Sequence, residues 1–157
     1  MTRILNLGCG GDDYGTDRLD FKPGPTVTMV ADMEHRLPYE DGTFDEVYSR
    51  YSFEHVRNPG SLLDEIRRVL RPGGVLRLIT DNAWFWRTSL RISRSHERKE
   101  HYATYIPLFL KNHVESAGFE VATIGYTNWK RKIDILLETI GMGKLGAQSC
   151  YVVARKP

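Results

Sequence analysis

The sequence predicts an α/β fold built on a largely parallel sheet. Three observations lead there. Short runs rich in β-branched and aliphatic residues alternate with segments of helical periodicity. Each run ends in a glycine or aspartate turn. The first run, Ile4-Leu5-Asn6-Leu7, opens straight into Gly8-Cys9-Gly10-Gly11, a backbone almost bare of side chains.

The elements follow in order. Residues 3–7 read as the first strand and residues 16–19 as a second, ending at Asp20. Residues 26–31 form a third, ending at Asp32, and residues 45–49 a fourth. Residues 60–70 are the clearest helix, because Leu62, Leu63, Ile66, Val69 and Leu70 recur at the spacing of one face. Arg71-Pro72-Gly73-Gly74 stops it. Residues 74–80 form a fifth strand. A helix over 105–117 halts at Gly118, and a sixth strand runs over 119–125. Residues 129–140 are helical, with Ile133, Leu136, Leu137 and Ile140 on one side, and residues 148–154 close the chain as a seventh strand. There is no repeat, low-complexity tract or linker, so residues 1–157 are expected to form a single domain.

Composition narrows the class. A chain of 157 residues buries roughly 70% of its unfolded surface and needs neither disulfides nor metal to hold a core. With 41% hydrophobic and 27% charged residues it has the balance of a globular protein. A net charge of +2 does not by itself imply a nucleic-acid partner. Cys9 and Cys150 have no zinc spacing and read as free thiols. No apolar run approaches the ~20 residues of a membrane span, and no signal-peptide pattern precedes the first strand. The expected location is cytoplasmic.

In an open parallel sheet, ligands bind beyond the carboxyl ends of the strands, where strand order reverses. Glycines there let backbone approach a ligand closely; a tight turn and nothing more is the competing reading. Asp20 and Asp32, at the ends of adjacent strands, could hydrogen-bond a ribose and an exocyclic amine. As single residues they read equally as turn or cap aspartates. A Walker loop is excluded, since no Gly-Lys-Ser/Thr follows. Asp12 and Asp13 replace the end of a dinucleotide fingerprint and oppose a pyrophosphate. They suit a ligand carrying positive charge.

Leu5-Asn6-Leu7-Gly8-Cys9-Gly10 resembles motif I of the class I S-adenosylmethionine-dependent methyltransferases. Ala31-Asp32-Met33, Leu37-Pro38-Tyr39-Glu40-Asp41-Gly42-Thr43-Phe44-Asp45, Phe53-Glu54-His55-Val56, Leu70-Arg71-Pro72-Gly73-Gly74 and Ala117-Gly118-Phe119 resemble later motifs of that family, in the same order. The likeness covers residues 3–80 well and 105–155 more loosely. It implies a Rossmann-like, mostly parallel seven-stranded sheet with helices on both faces and an antiparallel last strand. It also implies S-adenosyl-L-methionine as cofactor. Asn6, Gly8, Cys9 and Gly10 would form the motif under its methionyl part. Asp20 would take the ribose hydroxyls, Asp32 the adenine amine, and Met33 would pack on the ring. Ser49, Arg50 and Tyr51 would line the sulfonium end. The chain departs from the family between the first two strands, where residues 11–15 are too few for the usual helix.

Methyl transfer to oxygen needs positioning and often a base. His101 and His55 are the candidate catalytic residues, each weighed against a structural or solvated role. His96, Glu97, Glu100 and His101 have metal-ligand types at near-helical spacing, but a charged surface explains them and no metal is expected. Arg87, Arg91, Arg94 and Arg98 follow Trp84-Phe85-Trp86 and form one stripe if helical. That stripe would suit phosphate on RNA, a nucleotide sugar or a lipid head group. After the fourth strand stands Ser49-Arg50-Tyr51-Ser52 rather than the Asn/Asp-Pro-Pro-Tyr/Phe of enzymes that methylate exocyclic base amines. The expected function is therefore methyl transfer to oxygen of a small-molecule acceptor, with a glycan or phosphate-bearing one in view. The alternatives are an RNA methyltransferase using the 87–98 stripe and a non-catalytic cofactor-binding sensor or scaffold. Nucleic acid is an open but unfavoured partner, and a homodimer is open.

Overall fold

A computed structural model of the chain describes residues 2–85, 101–127, 139 and 141–157. The strands are β1 (Ile4–Leu7), β2 (Asp17–Asp20), β3 (Met29–Val30), β4 (Phe44–Arg50), β5 (Leu70–Asp81), β6 (Glu120–Thr127) and β7 (Ser149–Arg155). Between them lie a 3-10 turn (Phe53–His55) and the helices α1 (Pro59–Val69), α2 (Pro107–Ser116) and α3 (Gly143–Gly146). The strands make one sheet in the order β3-β2-β1-β4-β5-β7-β6. β1 through β5 pair in parallel, while β7 runs antiparallel to both β5 and β6. The expected seven-stranded, mostly parallel sheet with an antiparallel last strand is present.

Strand order reverses between β1 and β4. Leu7 is in register with Leu19 on one side and with Ser49 on the other. The carboxyl ends of β1, β2 and β4 therefore finish level, which sets the site. Alternate residues Leu5, Leu7, Val47, Leu76, Leu78, Val152 and Ala154 are buried in the core. Helix α1 adds Leu62, Leu63 and Ile66 to it.

Helix α1 forms where its periodicity requires. Pro59 occupies the first turn, where its missing N–H is not needed. The Asn58 side chain accepts from the backbone N–H of Ser61 at 3.2 Å as N-cap. Leu70, expected as the last helical residue, instead starts β5 and pairs with Phe44. Residues 71–74 bulge between the pairs Phe44–Leu70 and Glu46–Val75, with Gly73 at φ 76°, and are held because Gly73 N–H donates to Lys156 O and Lys156 N–H donates to Gly74 O. The third strand shortens from the expected six residues to Met29–Val30, which pair with Leu19 and Asp20; ahead of them Val27 N–H turns back onto Gly24 O and the Thr28 hydroxyl takes Arg18 N–H. The short link between β1 and β2 carries no helix, as its length requires. Apart from residue 139, the expected helix over 129–140 lies outside the described residues, as do the arginine stripe over 87–98 and His96. Among the described residues no helix is long and apolar enough to cross a membrane.

Candidate active site

The glycine turn bends over the ends of β1 and β2. Gly8 N–H and Cys9 N–H both donate to Leu19 O, at 2.8 and 3.1 Å. Gly8 has φ 68° and Gly10 φ 51°, a region that side chains make costly. The two differ in surroundings. A Cβ on Gly8 would sit 2.4 Å from Ser52 Cβ, so Gly8 is demanded by packing against the segment after β4. A Cβ on Gly10 would meet nothing within 4 Å; its turn faces open space.

Asp20 ends β2 almost buried, at 9% exposure. Its carboxylate accepts from Gly10 N–H at 2.8 Å and from Lys22 N–H at 3.0 Å, clamping the turn to β2. A carboxylate has about four acceptor positions, so two remain for a ligand. Asp32 accepts from Glu34 N–H at 2.9 Å, which folds the loop after β3 back on itself and leaves the carboxylate about half exposed. Glu34 in turn accepts from Arg57 N–H at 2.7 Å, tying that loop to the segment after the 3-10 turn.

Between these parts runs a groove of about 600 Å³ lined by Gly8, Gly10, Asp20, Asp32, Met33, Tyr51 and His55, together with Phe21, Lys22, Glu34, Ser52, Val56, Arg57 and Tyr102. A smaller cleft of about 180 Å³, lined by Asn6, Gly8, Cys9, Asp12, Arg50 and Tyr51, adjoins it. Tyr51 belongs to both. It has φ 55°, uncommon for a bulky residue, and its hydroxyl lies 2.6 Å from Ser149 Oγ on β7. Strain of this kind concentrates at functional sites.

The structure brings most of the expected residues together. Gly8, Gly10, Asp20, Asp32, Met33, Tyr51 and His55 share the main groove, and Asn6 and Cys9 face the smaller cleft. Asn6 is buried and its amide donates to Tyr14 O at 3.2 Å. Burial and the nearby Asp20 carboxylate push the Cys9 thiol up, away from nucleophilic use. Ser49 lies apart from the groove: it is buried, 2.6 Å from Ser52 Oγ, and Ser52 donates to Leu7 O. The pair laces β4 to the turn instead of lining a ligand.

His101 stands behind the groove wall. Its ring meets that of His55 edge-on, with centroids 4.5 Å apart. Segment 101–105 is held there because Tyr102 and Ala103 N–H donate to Glu54 O, while Tyr105 bridges Asn82 beyond β5. Glu54 is 1% exposed and accepts from the Thr80 hydroxyl at 2.8 Å; burial holds its pKa above the usual carboxylate range. Among the described residues no cluster of His, Cys, Asp and Glu has the geometry of a metal site. Sequence reasoning passed over Phe21, Lys22, Arg57 and Tyr102. The signal for the first two was their place directly after the strand-end Asp20. For Arg57 and Tyr102, whose guanidinium and ring stack at 5.1 Å, no local pattern pointed to a meeting.

Comparison with known proteins agrees with this arrangement. A mostly parallel seven-stranded sheet with this strand order and antiparallel last strands is the Rossmann-like methyltransferase fold. Residues 12–78 match a family described as a methyltransferase domain. Over 99% of its length the chain superposes on a S-adenosylmethionine-dependent methyltransferase of Archaeoglobus fulgidus, with TM-score 0.77, 16% identity and 86% of that chain covered. It is 38% identical over 127 residues to the sterol 4-C-methyltransferase strm-1 of Caenorhabditis elegans, covering 64% of this chain and 35% of that protein. It is 30% identical over 132 residues to the mouse mitochondrial arginine-hydroxylase NDUFAF5, covering 76% of this chain and 38% of that one. The chain thus spans little more than a third of the length of these curated relatives. Over residues 12–78, and in its fold as a whole, it is similar to the class I S-adenosylmethionine-dependent methyltransferase family. The cofactor of that family is S-adenosyl-L-methionine.

Proposed function

We propose that the chain holds S-adenosyl-L-methionine in the groove and transfers its methyl group to an oxygen atom of a small-molecule acceptor. The carrying observation is that Gly8, Gly10, Asp20 and Asp32 line one groove at the strand-order switch. The residues fit the cofactor. The volume suits a ligand of that size. The remaining acceptor positions of Asp20 would take ribose hydroxyls, and the exposed Asp32 carboxylate would take the adenine amine. Met33 and Val56 offer apolar surface to the base, and Tyr51 with the cleft around Asn6 and Cys9 borders the methionyl end. When bound, the cofactor supplies a methyl group on a sulfonium whose leaving group is neutral.

The protein's part is mostly positioning, worth up to ~7–11 kcal/mol in well-oriented reactions. His55 lines the groove and would receive the acceptor's proton, a contribution of roughly 10²–10⁴-fold. His101 lies behind it and acts through it. Lys22 and Arg57 on the groove wall favour an acceptor that carries phosphate or other anionic groups.

The test is calorimetric titration with S-adenosylmethionine and S-adenosylhomocysteine, with NAD as control. Micromolar-range binding of the first two, weakened about tenfold or more in Asp32→Ala, supports the cofactor reading. No binding by folded protein removes it. A second reading keeps the groove without methyl transfer, and it is favoured by the hydroxylase name of a relative aligned over 76% of this chain. Release of S-adenosylhomocysteine that depends on acceptor and is lost in His55→Ala, with cofactor affinity intact, separates the two.

A further inference from the structure

We propose that Asp81 is a positioning residue of the transfer site: it sets the tautomer and ring plane of His101, which in turn holds His55 at the groove wall. The inference rests on the methyltransferase reading above for its purpose, but not for its test. Three segments far apart in sequence deliver the three side chains. His55 comes from the 3-10 turn after β4, Asp81 from the carboxyl end of β5, and His101 from the stretch that crosses both.

The geometry has a direction. Asp81 Oδ2 lies 4.0 Å from Nδ1 of His101, with both side chains about four-fifths buried. The His101 ring then meets the His55 ring at 90° and 4.5 Å, and His55 lines the groove. A carboxylate only accepts hydrogen bonds. Facing Nδ1, it selects the imidazole tautomer with the proton on Nδ1. The partner of one ring nitrogen decides the state of the other. The distance is long for a hydrogen bond, as such contacts often are before substrate binds.

The segment is anchored independently. Tyr102 and Ala103 N–H donate to Glu54 O, and Ala83 N–H donates to Tyr105 O. These bonds hold residues 102–105 without using the Asp81 carboxylate. What Asp81 adds is ring orientation. Among the described residues, the charged or titratable groups around the pair include Glu54, Asp81, Cys150, and Tyr102 with Arg57 on the groove side.

The experiment is ¹⁵N NMR of histidine-labelled full-length chain at mildly alkaline pH, which reads the proton on each ring nitrogen without any acceptor. In the wild type His101 should carry its proton on Nδ1. Asp81→Asn, which can present an N–H to Nδ1, should move the proton to Nε2 or mix the two forms, and should shift the His55 ring signals. Asp81→Glu should keep the wild-type tautomer. Wild-type His101 protonated on Nε2 overturns the proposal alone, even if Asp81→Asn fails to fold. An unchanged tautomer in folded Asp81→Asn overturns it as well. Since neither readout uses turnover, failure here is distinct from failure of the methyltransferase reading, which the calorimetry and acceptor assay decide.

Discussion

Gly8 and Gly10 share a motif and a positive φ, yet they answer to different physics. At Gly8 the bond is with the protein: a methyl would collide with Ser52 as well as strain the backbone. Gly8→Ala should cost roughly 2–5 kcal/mol from strain and overpacking together. Gly10→Ala should cost only about 1–2 kcal/mol and act chiefly on cofactor affinity. Urea denaturation of both, beside calorimetry, separates the two effects. Glu54 gives a pH prediction. Its pKa is raised in the folded state by burial, so the folded chain binds more protons than the unfolded one above the ordinary carboxylate range. The contribution is full below the unfolded value and is lost as pH rises through the folded one. As pH rises above the ordinary glutamate value of about 4.3, wild-type stability should therefore fall relative to Glu54→Gln, which cannot ionise. Equal pH profiles in urea melts would refute this.

Helix α1 shows how far local pattern reaches at the scale of an element. Its apolar stripe was legible and the helix lies within a residue of its expected bounds, while the cap at Asn58 and the proline start emerged with the structure. Asn58→Ala should cost about 1 kcal/mol, and Ile66→Ala, fully buried, about 2–5 kcal/mol, both read from urea midpoints. The loop before β4 depends instead on a contact no local pattern showed. The Arg68 guanidinium donates to Glu65, to Asp41, and to the carbonyls of Leu37 and Tyr39. Arg68→Ala should lower stability by about 1.5–3 kcal/mol. Arg68→Lys should recover little of it, because an ammonium cannot span the fork. The two ends of the expected third strand failed for tertiary and turn reasons: β-branched residues at 26–28 favour extension, but Val27 N–H closes a turn onto Gly24 O and the Thr28 hydroxyl takes Arg18 N–H, while beyond Val30 β2 has already ended at Asp20.

Across the whole molecule, the groove is a product of register. Because Leu7, Leu19 and Ser49 finish level, the turn after β1, the acid after β2 and the segment after β4 open on one space. The order of motifs in the chain already implied this, since parallel strands present every carboxyl end to the same edge. A concentration-dependent sedimentation coefficient would show self-association; a constant one would remove a homodimer from the reading.

Local pattern determined the strands, helix α1, the glycine turn and the two strand-end aspartates, because period, capping and backbone freedom are properties of neighbouring residues. Tertiary structure alone decided three things. It buried Ser49 against Ser52, it set His55 on the groove wall with His101 behind it, and it brought Asp81 to His101 across twenty residues of chain. The physical reason is that these are distances between separate segments. Only the pairing of strands and the packing above their ends fixes such distances.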